Sequence, residues 1–155
     1  MISPELLHRY SFFGGLENGH LKSLAIIAQE ELLPSDMTIC QEGQRAETLY
    51  FLEEGSVVLY YTGSETDIEN FKDGIPVGEI NPGEPFSVSA LIEPHILTST
   101  ARTSKPSRVI KFEAKALHKL YKNDRRLAYI LTHQAAKAVI ERLLSTRIQL
   151  AAAWA

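Results

Sequence analysis

The sequence predicts a mainly β domain with flanking helices, a sandwich or jelly roll that is entered and left through helical segments. Three observations predict it. Short apolar runs divided by turn residues fill the stretch from Glu31 to Phe112, helix-spaced apolar residues precede it, and a long tract without Gly or Pro follows it. At 155 residues the chain has the length of one domain, enough to bury a core without disulfides or metal.

The opening reads as two short helices: Leu6, Leu7, Tyr10 and Phe13 fall at helical spacing, Gly14-Gly15 interrupt them, and Leu21 to Ala28 resume an amphipathic pattern. Strand candidates follow at Leu32-Leu33, Thr38-Ile39-Cys40, Leu49-Tyr50-Phe51-Leu52, Val57 to Tyr61, Pro76-Val77 and Val109-Ile110-Lys111-Phe112. Gly43, Gly55 and Gly83 lie between them and read as turns. The polar, charged stretch from Thr62 to Asp73 reads as an exposed hairpin loop with a solvated acidic surface. Helix returns from Ala114 to Tyr121 and again from about Arg125 to Ala152, with Asn123 or Asp124 as N-cap. The expected organisation is one domain over 1–155: N-terminal helices in 1–29, a jelly roll in 30–112 and C-terminal helices in 113–155.

The last helix carries two apolar stripes. Ala128, Leu131, Ala135, Val139, Leu143 and Leu150 make one, and Ala136, Ile140, Leu144, Ile148 and Ala151 the other. Together they are wider than one contact with a sheet needs, which favours a homodimer through Val139, Ile140, Leu143, Leu144 and Ile148 over the alternative that both stripes pack on the barrel and the N-terminal helices. Trp154 is a further contact residue or tucks against its own barrel.

A formal net charge of -3 gives no reason to expect nucleic acid as a partner. No apolar run approaches the roughly 18 residues of a membrane span, and the N-terminus lacks the pattern of a signal peptide, so a cytoplasmic protein is expected. Cys40 is the sole cysteine and reads as a small buried strand residue. His8, His20, His95, His118 and His133 are scattered, without the His-x-His of a jelly-roll metal cage, and no nucleophile elbow or phosphate loop occurs. Neither a metal, a cofactor nor enzyme activity is expected.

Several of these segments, in their order and spacing, resemble the cyclic-nucleotide-binding domain family of catabolite activators and kinase regulatory subunits. They are Leu6-Leu7 through Phe12-Phe13, Gln41-Glu42-Gly43, Leu49 through Val57, and Val77 through Phe86 leading into Ser89-Ala90-Leu91. The resemblance implies a phosphate-binding cassette from Phe86 to Thr100, in which the N-terminus of a short helix at Val88 to Ile92 faces a cyclic phosphate. The implied ligand-binding positions are Phe86, Ser87, Val88, Ser89, Ala90, Leu91, Thr98, Ser99 and Thr100. The far end of the ligand would contact the long helix around Val139 to Leu143.

This chain departs from the cassette of cAMP-binding members. Ser87 stands for a Gly, Val88 for the Glu that holds the ribose hydroxyl, and Thr98 for the Arg that pairs with the phosphate. At about 1.5 to 3 kcal/mol for each hydrogen bond to a charged group, the two losses remove roughly 3 to 6 kcal/mol of cAMP affinity. Two accessory cations are candidates to compensate. Arg102 shares a strand face with Thr98, about 13 Å further along, and His95 lies in the cassette loop. Ser87, Ser89, Thr98, Ser99 and Thr100 add hydroxyls that suit a less charged ligand. The chain also ends where transcription factors of this family continue into a helix-turn-helix, so no DNA-binding domain and a downstream protein partner are expected. Two readings remain: a sensor for a cyclic nucleotide or a related small molecule, and a dimerisation or docking module that has lost ligand binding.

Overall fold

The computed structural model of the protein describes residues 2–63 and 74–155. Helix α1 (Pro4–His8), a 3₁₀ turn (Ser11–Phe13) and α2 (Asn18–Ile27) open the chain. Eight strands follow: β1 (Ala28–Leu33), β2 (Thr38–Cys40), β3 (Thr48–Glu54), β4 (Val57–Tyr61), β5 (Ile75–Ile80), β6 (Pro85–Phe86), β7 (Thr100–Thr103) and β8 (Ser107–Glu113). A second 3₁₀ turn, Val88–Leu91, separates β6 from β7, and helices α3 (Ala114–Asn123) and α4 (Arg125–Ala153) complete the chain.

The strands form two antiparallel four-stranded sheets, ordered β1-β8-β3-β6 and β2-β7-β4-β5. The first sheet lies between the second sheet and the helices, so its central strands are buried on both faces. Leu49 and Phe51 of β3, with Ile110 and Phe112 of β8, join Phe12, Phe13, Leu24 and Leu127 in a helix-side core. Leu52 and Val109 join Val57, Ile80 and Phe86 between the sheets. Double burial explains why these two strands read as continuous apolar runs rather than alternating ones.

Two strands lack that signal. Strand β6 is two residues long, and β7 reads Thr-Ala-Arg-Thr, with threonines serving the neighbouring backbone. The Thr100 hydroxyl accepts from Glu42 N at 3.0 Å; that of Thr103 accepts from Met37 N at 2.8 Å and donates to Pro34 O at 2.7 Å. Polar residues thus close the edge of this sheet where apolar patterning does not show it.

Gly55 lies between β3 and β4 at φ 106°, and a Cβ there would come within 2.1 Å of the Ser107 hydroxyl, so both conformation and space demand glycine. Of the hairpin loop expected over Thr62 to Asp73, residues 64–73 lie outside the described residues; Thr62 and Gly63 donate backbone N–H groups to the Glu42 carboxylate.

Asp124 caps α4. One carboxylate oxygen accepts from Leu127 N at 3.1 Å, and the other lies 3.0 Å from His20 Nε2. The first half of the helix docks through Leu127, Leu131 and Ala135, and Gln134 Nε2 donates to Ser11 O and Phe12 O. Beyond Val139 the helix passes the end of the barrel, with Trp154 exposed rather than tucked against it.

Candidate functional site

A cavity of about 370 Å³ lies between the β6–β7 connection and α4. Phe86 forms part of its wall and is fixed by stacking on Tyr50, the ring centroids 5.0 Å apart. Ser87 turns the chain with φ 60° and ψ 37°, a left-handed conformation that a non-glycine residue adopts at a cost. That turn delivers Val88 and Ser89 to the cavity, while Thr98 and Ser99 close it from the bend ahead of β7. The barrel contributes Cys40, Leu59, Leu97 and Ala101, and α4 contributes Val139, Arg142, Leu143 and Thr146.

Arg142 ties the helix to the barrel: its Nη2 donates to Pro85 O at 2.7 Å. Burial weakens the hold of this guanidinium on its proton, with the Glu84 carboxylate acting in the opposite sense. The Cys40 thiol is pushed up by burial, opposed by a hydrogen bond with the Ala101 backbone, and so stays a neutral part of the wall. No three metal-ligating side chains gather anywhere among the described residues. The site therefore offers a compact, partly apolar hollow with five hydroxyls and a cation on its helical side. Non-covalent binding of a small molecule matches that chemistry.

The family model described as cyclic nucleotide-binding domain matches residues 30–124. The chain belongs to this family. A structure from Geobacter metallireducens GS-15, assigned as a cyclic nucleotide-binding protein, is 36% identical with a TM-score of 0.80, over 92% of this chain and 99% of that one. A cyclic nucleotide-binding domain from Methylobacillus flagellatus KT shares the fold at 19% identity and a TM-score of 0.73, over 94% of this chain and 78% of that one. The regulatory domain of Toxoplasma gondii PKA, crystallised with cAMP, does so at 18% identity and a TM-score of 0.69, over 86% and 48%. No curated protein matches the sequence.

Within the cyclic-nucleotide-binding cassette, the structure sorts the implied positions. Phe86, Ser87, Val88, Ser89, Thr98 and Ser99 line the cavity. Ala90, fully buried, and Leu91 instead belong to the helix-side core, and Thr100 commits its hydroxyl to Glu42 N. The short helix is a four-residue 3₁₀ turn, too brief to build up a helix dipole.

Both accessory cations stand elsewhere. Thr98 precedes β7 instead of sharing a strand with Arg102, and since Ala101 faces the cavity, alternation turns Arg102 outward, where it donates to Thr38 Oγ1 at 3.3 Å. His95, at φ 61°, turns away to face a second cavity of about 310 Å³ with Arg45 and His118; its Nδ1 lies 3.1 Å from Ser89 O. Of the residues assigned to a dimer helix, Val139 and Leu143 face the cavity, while Ile140, Leu144 and Ile148 are exposed.

Sequence reasoning missed Arg142 as a site residue. A signal was present: Val139, Arg142, Leu143 and Thr146 stand at i, i+3, i+4 and i+7, which places an arginine on an apolar helix face.

Proposed function

We propose that this chain is a regulatory module, not an enzyme, in which a small molecule enters the cavity between Phe86–Ser89 and α4 and shifts the helix between two positions. The observation that carries this reading is the cavity itself, whose one wall is the cassette and whose other wall is the second half of the helix. Its volume of about 370 Å³ falls within the range of roughly 300 to 1,000 Å³ usual for ligand sites. The ligand is a cyclic nucleotide or a compact relative of one. Members of this fold respond to chemically different nucleotides: the Toxoplasma domain was crystallised with cAMP, and a Xanthomonas campestris regulator is described as responsive to c-di-GMP.

Output runs through protein contacts rather than nucleic acid. The exposed side chains of Ile140, Leu144 and Ile148 form the stripe for a homodimer, with a downstream protein as a further partner. A single cytoplasmic domain accounts for these features, and no described helix is long and apolar enough to cross a membrane. A second reading, a docking module without a ligand, is favoured by Val88 and Thr98 standing in place of the ribose-binding Glu and the phosphate-binding Arg.

Calorimetric titration with cAMP and cGMP separates the two, alongside the double variant Val88→Glu, Thr98→Arg. The expected result is weak binding by the native protein, at about millimolar ligand, and roughly micromolar binding by the variant, which would support an intact cavity under a retuned cassette. Loss of binding in both, with the variant still folded, sinks the sensor reading for these nucleotides.

A further inference from the structure

The cassette cation of cAMP-binding relatives is replaced by Thr98, yet the cavity still has a charge. Among the described residues its walls carry one cation, Arg142, and no carboxylate. Arg142 is half-buried on a stretch of α4 whose neighbours Glu141, Leu143 and Leu144 are exposed. Its hydrogen bond to Pro85 O engages one donor of a group that has five, and no carboxylate lies within ion-pair distance of it among the described residues.

A guanidinium stays charged inside a protein, and the Glu84 carboxylate favours that charge but from beyond ion-pair distance. A carbonyl dipole compensates it only in part. An oxyanion in the cavity would complete the compensation, and Ser87, Ser89, Thr98 and Ser99 line the space with hydroxyls able to donate, whereas that of Thr146 donates to Arg142 O at 2.9 Å. The apolar remainder, with Leu59, Leu97 and Val139, suits a ligand body with little further charge.

We propose that Arg142 takes over anion recognition in this cavity, that the ligand is a compact molecule bearing a single oxyanion, and that binding displaces the Arg142–Pro85 hydrogen bond. The proposal rests on reading the cavity as a ligand site. Its mechanical consequence is specific to this placement. Where the phosphate-binding Arg belongs to the barrel, charge recognition and helix position are separate; with the cation on α4 they become one event. An anion that draws Arg142 from Pro85 O necessarily changes what holds the helix to β6.

The test uses the whole protein, native and as Arg142→Gln and Arg142→Lys, titrated with inorganic phosphate, cAMP and adenosine while backbone amide resonances are followed. Phosphate and cAMP are expected to move the amides of Ser87 to Ser89 and of Val139 to Thr146. In Arg142→Gln their midpoints should rise about 10- to 100-fold, with adenosine unaffected, and Arg142→Lys should recover part of the loss. Equal midpoints for phosphate and for cAMP in the native protein and Arg142→Gln would overturn the role of Arg142 while leaving a ligand-binding cavity. Silence of the cavity amides towards all three probes sinks both readings together. Should Arg142→Gln lose its folded dispersion, the native protein still decides: cAMP must bind at least about tenfold more tightly than adenosine, and equal affinities refute the assignment.

Discussion

From Arg125 to Lys137, α4 sends Leu127, Leu131 and Ala135 into the core, each no more than 3% exposed, whereas Val139, Ile140, Leu143, Leu144 and Ile148 stand 43–65% exposed. The two halves have similar sequence texture and opposite surroundings. The first half has the 3₁₀ turn at Ser11–Phe13 and the helix-side core beneath it; the second has the mouth of a cavity. Apolar spacing marks a helix face that needs cover, but what covers it is decided by the rest of the fold. Here one half is covered by its own chain, and the other is left exposed beside the cavity.

The largest expected effect tests that division directly. Leu127→Ala should lower the unfolding free energy by about 2–5 kcal/mol, because a fully buried leucine leaves a cavity behind. Leu144→Ala should change the monomer's stability by less than about 0.5 kcal/mol while weakening self-association in sedimentation. Similar losses for both variants in urea unfolding, with no change in oligomeric state, would erase the distinction between the halves.

The helix-side region is not apolar throughout. Glu53 on β3 is 7% exposed, has one carboxylate oxygen without a hydrogen-bond partner, and is pushed up to about 7 by burial, then by the hydrogen bond with Glu30 and that neighbour's charge. The folded state therefore binds this proton more tightly than the unfolded chain, whose glutamate titrates near the ordinary value of 4.5. The stabilisation is fully present below about pH 4.5 and is lost as pH rises through about 7. Glu53→Gln should accordingly stabilise the protein at pH 8 by on the order of 1–3 kcal/mol and flatten the pH dependence of urea unfolding between pH 5 and 8. A variant equally destabilised at both pH values would show that the carboxyl acts through its hydrogen bond rather than its charge.

Much of this contrast is legible in the sequence. The lead-in helices, the strands around Leu49–Leu52 and Val109–Phe112 and the Asp124 cap follow from apolar runs, glycine turns and a capping side chain. The polar side of the molecule was less legible. Strand β7 is held by threonine hydroxyls, and Arg102 and His95 owe their outward positions to a strand start and a left-handed turn that sequence alone does not fix. Arg142 reaches the site across 57 residues from Pro85, a separation at which local pattern carries no information. Its position on the Val139 and Leu143 stripe identified the face but not the partner.

The smallest predicted effect concerns the turn that opens the cavity. Ser87 occupies a left-handed conformation where the resemblance expects Gly, and its side chain lines the site. Relief of about 1–2 kcal/mol of backbone strain, less roughly 0.4–1 kcal/mol for the greater freedom of unfolded glycine, leaves a net gain of about 0.5–1 kcal/mol for Ser87→Gly. The thermal midpoint should rise by about 1–4 °C. Strain that one substitution removes persists only where the side chain contributes something else, and in this position that is a hydroxyl facing the cavity. If Ser87→Gly gains stability and loses affinity for whichever probe binds, the turn trades rigidity for recognition. If it gains stability with binding unchanged, the hydroxyl has no role in recognition, and the polar wall reduces to Arg142 and the hydroxyls of Ser89, Thr98 and Ser99.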